Sequence, residues 1–230
     1  MGDFMTKKIY ISKPVCWAPG LTTAEEWQEW KKGKASILKT TEAPAISFTP
    51  PLFRRRLSQL CKMVIQAVHD IIEQTGCGDI KQTFVSTYGD IKRQLDVSHQ
   101  SLVDKEILPA SFSFSVFNAP IALASLACKL KSGYSVLFPA ENDFKDAFVT
   151  AASPILCGDE KSQIFVYGNE LIPEEYQGHF PPSAPDGTDL NEPFVFASVI
   201  SAEKTEACGQ EIDLEKCDLS SAQAFLKEIL

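Results

Sequence analysis

Residues 113–126 read SFSVFNAPIALASL, and residues 135–144 read SVLFPAENDF. The second stretch is an apolar strand that runs straight into a helix start, with no cysteine at the junction. Around this elbow the pattern predicts a strand over 135–138, a helix over 143–157, a strand over 163–168 and a strand over 193–200. The intervening GHFPPSAPDGTDLNEP is a surface loop by its Pro, Gly and Asp content. Upstream, KQTFVSTYGD is dense in β-branched and aromatic residues and reads as a strand, followed by an amphipathic helix in IKRQLDVSHQSLVDKE. Strands separated by helices of this length imply right-handed crossovers. The expected fold is one α/β domain over 1–230, with a mainly parallel sheet covered by helices on both faces.

The strongest helix is predicted over 57–75. Leu57, Leu60, Cys61, Val64, Ile65, Val68, Ile71 and Ile72 fall on one broad apolar stripe, and Gly76 stops it. Residues 7–18 read as an opening strand, and TTAEEWQEWKKG as a short helix with Thr23 as N-cap before an acidic first turn. The tail DLSSAQAFLKEIL reads as a short amphipathic helix with Ser220 as N-cap.

Composition narrows the class. Hydrophobic residues at 44% and charged residues at 23% of 230 fit a folded, soluble domain with a sizeable core. A formal charge of -8 argues against nucleic acid or an anionic membrane as partner. The basic cluster Arg54, Arg55 and Arg56 opens a helix and reads as a solvated or carboxylate-paired face, or as a docking patch for an acidic carrier protein or partner subunit. No apolar run is long enough to span a bilayer. Seven cysteines without a C-x-x-C pair and without a secretory signal fit a reduced cytoplasm. Cys61 and Cys128 read as small buried hydrophobes, Cys157 closes a helix, and Cys77 sits in a turn. His69, His99 and His179 are scattered, so no metal site and no cofactor is expected.

Several segments between about 54 and 170 together resemble the β-ketoacyl synthase family of the thiolase fold. They are the Arg- and Ser-rich helix start, Ser86-Thr87-Tyr88-Gly89, Ile107-Leu108-Pro109, the SVFNAP run and Tyr167-Gly168-Asn169-Glu170. The likeness is to a branch of chain-length-factor-like proteins with a ketosynthase N-terminal domain, including the small partner subunits of aryl polyene biosynthesis. It implies a single thiolase-like half, shortened relative to a full ketosynthase.

In that family the acyl chain rides on a thiolate at a strand-to-helix elbow, where the helix N-terminus favours negative charge. The resemblance places Glu141 or Asn142 at this position, and neither forms a thioester. Glu141 and Asp143 read as ordinary N-terminal charges, each stabilising the helix by roughly 0.3–1 kcal/mol. The family's two catalytic histidines belong to the second half of a roughly twofold longer chain, and this chain ends about where the first half does. The resemblance therefore implies a subunit that is not itself an enzyme.

It further implies that the SFSVFNAP region and the following strand lie at a dimer axis and wall the partner's acyl tunnel. Phe114, Phe117, Ile121 and Leu123 are the expected gate, with Ala119, Ala122 and Ala124 giving space and Asn118 fixing the turn before Pro120. Ser115, Ser135, Val136, Leu137 and Phe138 complete the tunnel and interface set. The expected function is a non-catalytic chain length factor of a heterodimeric β-ketoacyl-[acyl carrier protein] synthase in polyene, polyketide or fatty-acid-like biosynthesis. Its partner is a full-length catalytic ketosynthase, through which it chiefly meets the acyl carrier protein. Two alternatives stand beside it: a self-associating acyl-binding protein, and an acyltransferase or hydrolase using another Ser or Cys, for which the sequence offers no G-x-S-x-G elbow.

Overall fold

The computed structural model describes residues 8–106, 108–139, 143–179 and 189–230. Seven strands form one sheet: β1 Lys8–Ile11, β2 Val15–Trp17, β3 Gln82–Val85, β4 Tyr134–Leu137, β5 Ser162–Asn169, β6 Phe194–Ser201 and β7 Gln210–Asp213. The helices are α1 Ala24–Lys31, α2 Pro51–Arg54, α3 Gln59–Thr75, α4 Ile91–His99, α5 Pro109–Ser113, α6 Ala119–Cys128, α7 Phe144–Leu156 and α8 Ala222–Ile229. The sheet order is β4-β3-β5-β6-β1-β7, with β2 also on β6.

The single-sheet α/β class matches the sequence, but the sheet is mixed where a mainly parallel one was expected. Only β3–β4 and β3–β5 pair in parallel, and the β5–β6, β1–β6, β1–β7 and β2–β6 pairs are antiparallel. The reason is the connection from β5 to β6. Its described part holds one short 3₁₀ turn, Glu174–Tyr176, and no crossover helix, so β6 returns against β5.

Both faces of the sheet are buried, which is why β5 and β6 read as continuous apolar runs. Side chains alternate between two cores. Phe165, Tyr167, Phe194 and Phe196 join Phe144 and Phe148 of α7, Phe225 of α8 and Trp27 and Trp30 of α1 on one face. Ile164, Val166, Val195, Ala197 and Phe84 meet α3 and α6 on the other. One face is thus largely aromatic and the other largely aliphatic.

Caps set most helix ends. Thr23 is the N-cap, as its sequence predicts, and it forms a full capping box with Glu26. Ser58 caps α3, so that helix starts at Gln59 while Leu57 stays buried ahead of it, and Gly76 ends it at φ 62°. In the tail Ser221, one residue beyond the expected Ser220, accepts from Ala224 N, while Ser220 Oγ turns to Asp218 at 2.6 Å.

The opening strand is two strands on the same partner. Pro14 has no N–H to give the ladder, and Ser12 bridges the break: its N donates to Val199 O and its Oγ accepts from Val199 N, both at 2.9 Å. The helix expected through 106 becomes a π-helical turn, Gln100–Asp104, after His99 and ends at Lys105, φ 55°. The arginine cluster does not open a helix: Arg54 closes α2, and Arg55 and Arg56 sit in the turn before α3. Most of the loop read in 178–193 lies outside the described residues.

Candidate functional site

The strand and the helix on either side of the junction form as the sequence indicates. Strand β4 runs in register with β3, pairing Phe84 with Val136 and Val85 with Leu137. Asp143 then caps α7, its Oδ1 accepting from Asp146 N at 3.0 Å, which is the plain structural role for a carboxylate there. Glu141 and Asn142, the expected nucleophile position, lie outside the described residues.

Beside the elbow, the C-terminal ends of β3 and β5 are joined by a buried neutral network. Asn169 Oδ1 accepts from Ser86 Oγ at 3.0 Å and from Thr87 N at 2.9 Å. Its Nδ2 donates to Tyr167 Oη at 2.9 Å and Thr87 Oγ1 at 3.1 Å, and Ser86 Oγ accepts from Gly89 N. Burial pushes the Tyr167 hydroxyl up to about 12, so it stays protonated. This network holds the turn of Ser86-Thr87-Tyr88-Gly89, whose signal in the sequence is only the clustering of small polar residues after a strand.

The SFSVFNAP segment docks on that turn. A Cβ on Gly89 would lie 2.6 Å from the ring of Phe117, and Gly89 has φ 61°, so both space and backbone demand glycine. Phe117 in turn meets Phe138 edge to face, centroids 5.9 Å apart. Asn118 Nδ2 donates to Tyr134 Oη at 3.0 Å, tying the start of α6 to the start of β4. Three sequence-distant pieces converge on Phe117.

The expected tunnel residues divide by burial. Ala119, Ile121 and Leu123 are buried in the aliphatic core against α3. Phe114, Ser115, Phe117, Asn118, Ala122, Ser135, Val136 and Leu137 are half-buried, and Phe138 is 64% exposed. Eight of the eleven strongly exposed large apolar side chains among the described residues lie between Leu102 and Phe138, including Leu126 at 70%. Monomeric proteins rarely leave such a concentration in water. In the same region β4 is a sheet edge, paired only with β3 among the described strands, and carries free backbone donors and acceptors.

All four arginines of the chain also meet at one place. Arg93 Nη2 donates to the carbonyl of Arg56 at 2.7 Å, and among the described residues no carboxylate pairs with Arg54, Arg55 or Arg56. None of the seven cysteines is joined in a disulfide among the described residues. Burial raises the thiols of Cys16, Cys61 and Cys128, the last to about 11, which keeps them un-ionised at neutral pH. Cys61 is buried and Cys128 half-buried, and Cys157 lies exposed at the C-terminal end of α7. His69 stacks on Phe48, His99 faces Asp104 at 3.7 Å and His179 is exposed in a turn. Among the described residues no three His, Cys, Asp or Glu side chains gather as metal ligands, and no helix is long and apolar enough to cross a membrane.

A family model described as beta-ketoacyl synthase, N-terminal domain, matches residues 27–226. No curated protein sequence matches the chain. Among solved structures, the ketosynthase ApeO in complex with its chain length factor ApeC, from Xenorhabdus doucetiae, holds a chain similar at TM-score 0.73. The two are 21% identical, over 85% of this chain and 79% of that one. The ishigamide ketosynthase/chain length factor is similar at TM-score 0.63 and 13% identity, over 87% of this chain and 64% of that one. A ketosynthase from module 1 of the bacillaene synthase of Bacillus amyloliquefaciens FZB42 gives 0.58 and 15%, over 87% of this chain and 43% of that one. At these identities the likeness is one of fold.

Proposed function

Because the chain belongs to the β-ketoacyl synthase N-terminal-domain family, we propose that it is the non-catalytic chain length factor of a heterodimeric β-ketoacyl-[acyl carrier protein] synthase acting in the cytoplasm on carrier-bound polyenes. The observation that carries this reading is the apolar face between Leu102 and Phe138, set beside the free edge of β4. Joining it to a partner removes that apolar surface from water and satisfies the strand's open hydrogen bonds at once. Obligate interfaces of this kind bury roughly 2,000 Å² or more and resemble a core in composition. Two of the structures that the chain resembles are complexes of a ketosynthase with a chain length factor, which supports a ketosynthase as the occupant.

Phe117 and Phe138 then form a wall of the partner's acyl tunnel, held to Gly89, and Ala122 is the half-buried small position that sets free space. Catalysis belongs to the partner, and the elbow here serves as scaffold through the Asp143 cap. The acidic carrier protein reaches the complex mainly through the catalytic subunit, and Arg54, Arg55 and Arg56, which pair with no carboxylate among the described residues, add a basic contact.

The test is co-expression with a cysteine-bearing ketosynthase, followed by size-exclusion chromatography and product analysis. A stable 1:1 complex is expected, with Phe138→Glu breaking it and Ala122→Phe shortening the product. A chain that stays monomeric, or closes only on a second copy of itself, overturns the reading, as does unchanged product length in the Ala122→Phe complex.

A further inference from the structure

Glu170, at the end of β5, and Asp90, at the start of α4, are 3% and 0% exposed. Each is drawn there by helix N-termini. Glu170 Oε2 accepts from Leu60 N in the first turn of α3 at 3.3 Å, and its Oε1 accepts from Lys92 N in the first turn of α4 at 2.9 Å. Asp90 caps α4, its Oδ1 accepting from Arg93 N at 3.2 Å, and its Oδ2 accepts from the Cys61 thiol at 3.6 Å. The two carboxyl groups are thus brought together between the same two helix starts, on Leu60 N and the Cys61 thiol of α3 and on Lys92 N and Arg93 N of α4. Two buried carboxylates set between the same helix starts, with the Arg93 guanidinium beside only one of them, do not both stay charged, so the pair retains a proton.

We infer that Asp90 and Glu170 hold one proton between them as a clasp joining the N-termini of α3 and α4, and that its loss loosens α4 and the apolar segment that follows. The surroundings decide which partner carries it. Asp90 has a cation, Arg93 Nε at 3.9 Å from its Oδ2. Glu170 has none to itself, because Lys92 Nζ turns to Asp96 at 2.6 Å. The other titratable groups around the pair are the raised, neutral Cys61 thiol from α3 and, across the cleft beside Glu170, Lys39, Lys62, Glu174 and Glu175. Burial first, then the charge of Asp90, push the Glu170 carboxyl up to about 8.

Glu170 also lines an open cleft of about 750 Å³ with Lys39, Lys62 and Asn191, which gives the proton a route to water. Mechanically, α4 runs directly into the π-helical turn that presents Leu102 and Val103. The clasp and the proposed partner face are thus consecutive in the chain. The local part of the inference stands on the clasp alone; its last step, on partner binding, rests on the proposed function.

The sign follows from linkage. A carboxyl with a raised pKa in the folded state keeps a proton that the unfolded chain releases, so stability falls as pH rises from about 4.5 toward 8. Urea unfolding from pH 5.5 to 7.5 is expected to shift by about tenfold in equilibrium constant per pH unit relative to Glu170→Gln. Carbon-13 NMR of the Glu170 carboxyl should show a midpoint near 8, lowered in Asp90→Asn. A midpoint between 4 and 5, or one unmoved by Asp90→Asn, overturns the shared proton, even if Glu170→Gln does not fold. Amide exchange over 91–104, corrected for intrinsic rates, should quicken between pH 6.5 and 9.5 in the native chain. Unchanged exchange overturns the loosening. Faster exchange with unchanged ketosynthase affinity overturns the link to the partner face and leaves the shared proton standing.

Discussion

Gly89 shows how much one residue decides here. Its left-handed backbone and the ring of Phe117 against its Cα leave no room for a methyl group. Gly89→Ala is expected to cost ~2 kcal/mol from backbone strain and crowding. Phe117→Ala in the same chain should return the crowding part, and urea midpoints of the two single variants and the double variant measure the coupling. The sequence reads 81–90 as one strand, and it shows neither the turn that follows Val85 nor the ring that seals it, because Phe117 lies 28 positions away and docks only after α4, α5 and β4 are placed. Asp90 and Glu170 were equally hidden. A carboxylate in a sequence looks solvated until two helix starts are seen to converge on it.

At the scale of elements, α6 is the instructive case. Its sequence, APIALASLAC, is apolar all round, so periodicity cannot say which side meets α3 and which meets water. In the structure Ile121 is fully buried and Leu126 is 70% exposed. Ile121→Ala should therefore cost about 3 kcal/mol in folding stability. Leu126→Ala should leave the isolated chain's stability within about 0.5 kcal/mol while weakening the ketosynthase complex by about tenfold in a titration. Reversed behaviour would remove this side of α6 from the interface. The helices that were most legible, α1 and α3, carry local signals in Thr23 with Glu26 and in Ser58 with Gly76. Strand β7, Gln-Glu-Ile-Asp, was illegible: a polar edge strand buries only Ile212 and needs β1 beside it to exist.

At the scale of the whole molecule, the three layers divide labour. The aliphatic layer of α3 and α6 supports the elbow and the exposed face, while the aromatic layer is closed by α1 and α8 from opposite ends of the chain. Removing residues 219–230 strips Phe225, Leu226 and Ile229 from that layer, all within 3% of full burial. The shortened chain is expected to bind a hydrophobic dye and lose its cooperative thermal transition, and an unchanged melting profile would show that α8 is dispensable. The mixed sheet belongs to this scale too. Helix spacing accounts for the β3–β4–β5 half, but strand direction depends on what the connection does in space, and β6, whose link to β5 holds no crossover helix among its described residues, runs antiparallel to it.

The closure by α1 and α8 also builds an optical reporter. Trp27 and Trp30 stand nearly perpendicular at 5.2 Å, with the Lys227 ammonium 5.2 Å from the Trp30 ring centre. The third tryptophan, Trp17, sits on β2, so none of the three lies between residues 102 and 138. Trp17 reports on the aliphatic layer, whereas the emission of Trp27 and Trp30 watches the seam between α1 and α8 and not the apolar face. A partner titration that leaves the emission of these indoles unchanged is what assembly at the β4 edge looks like by light.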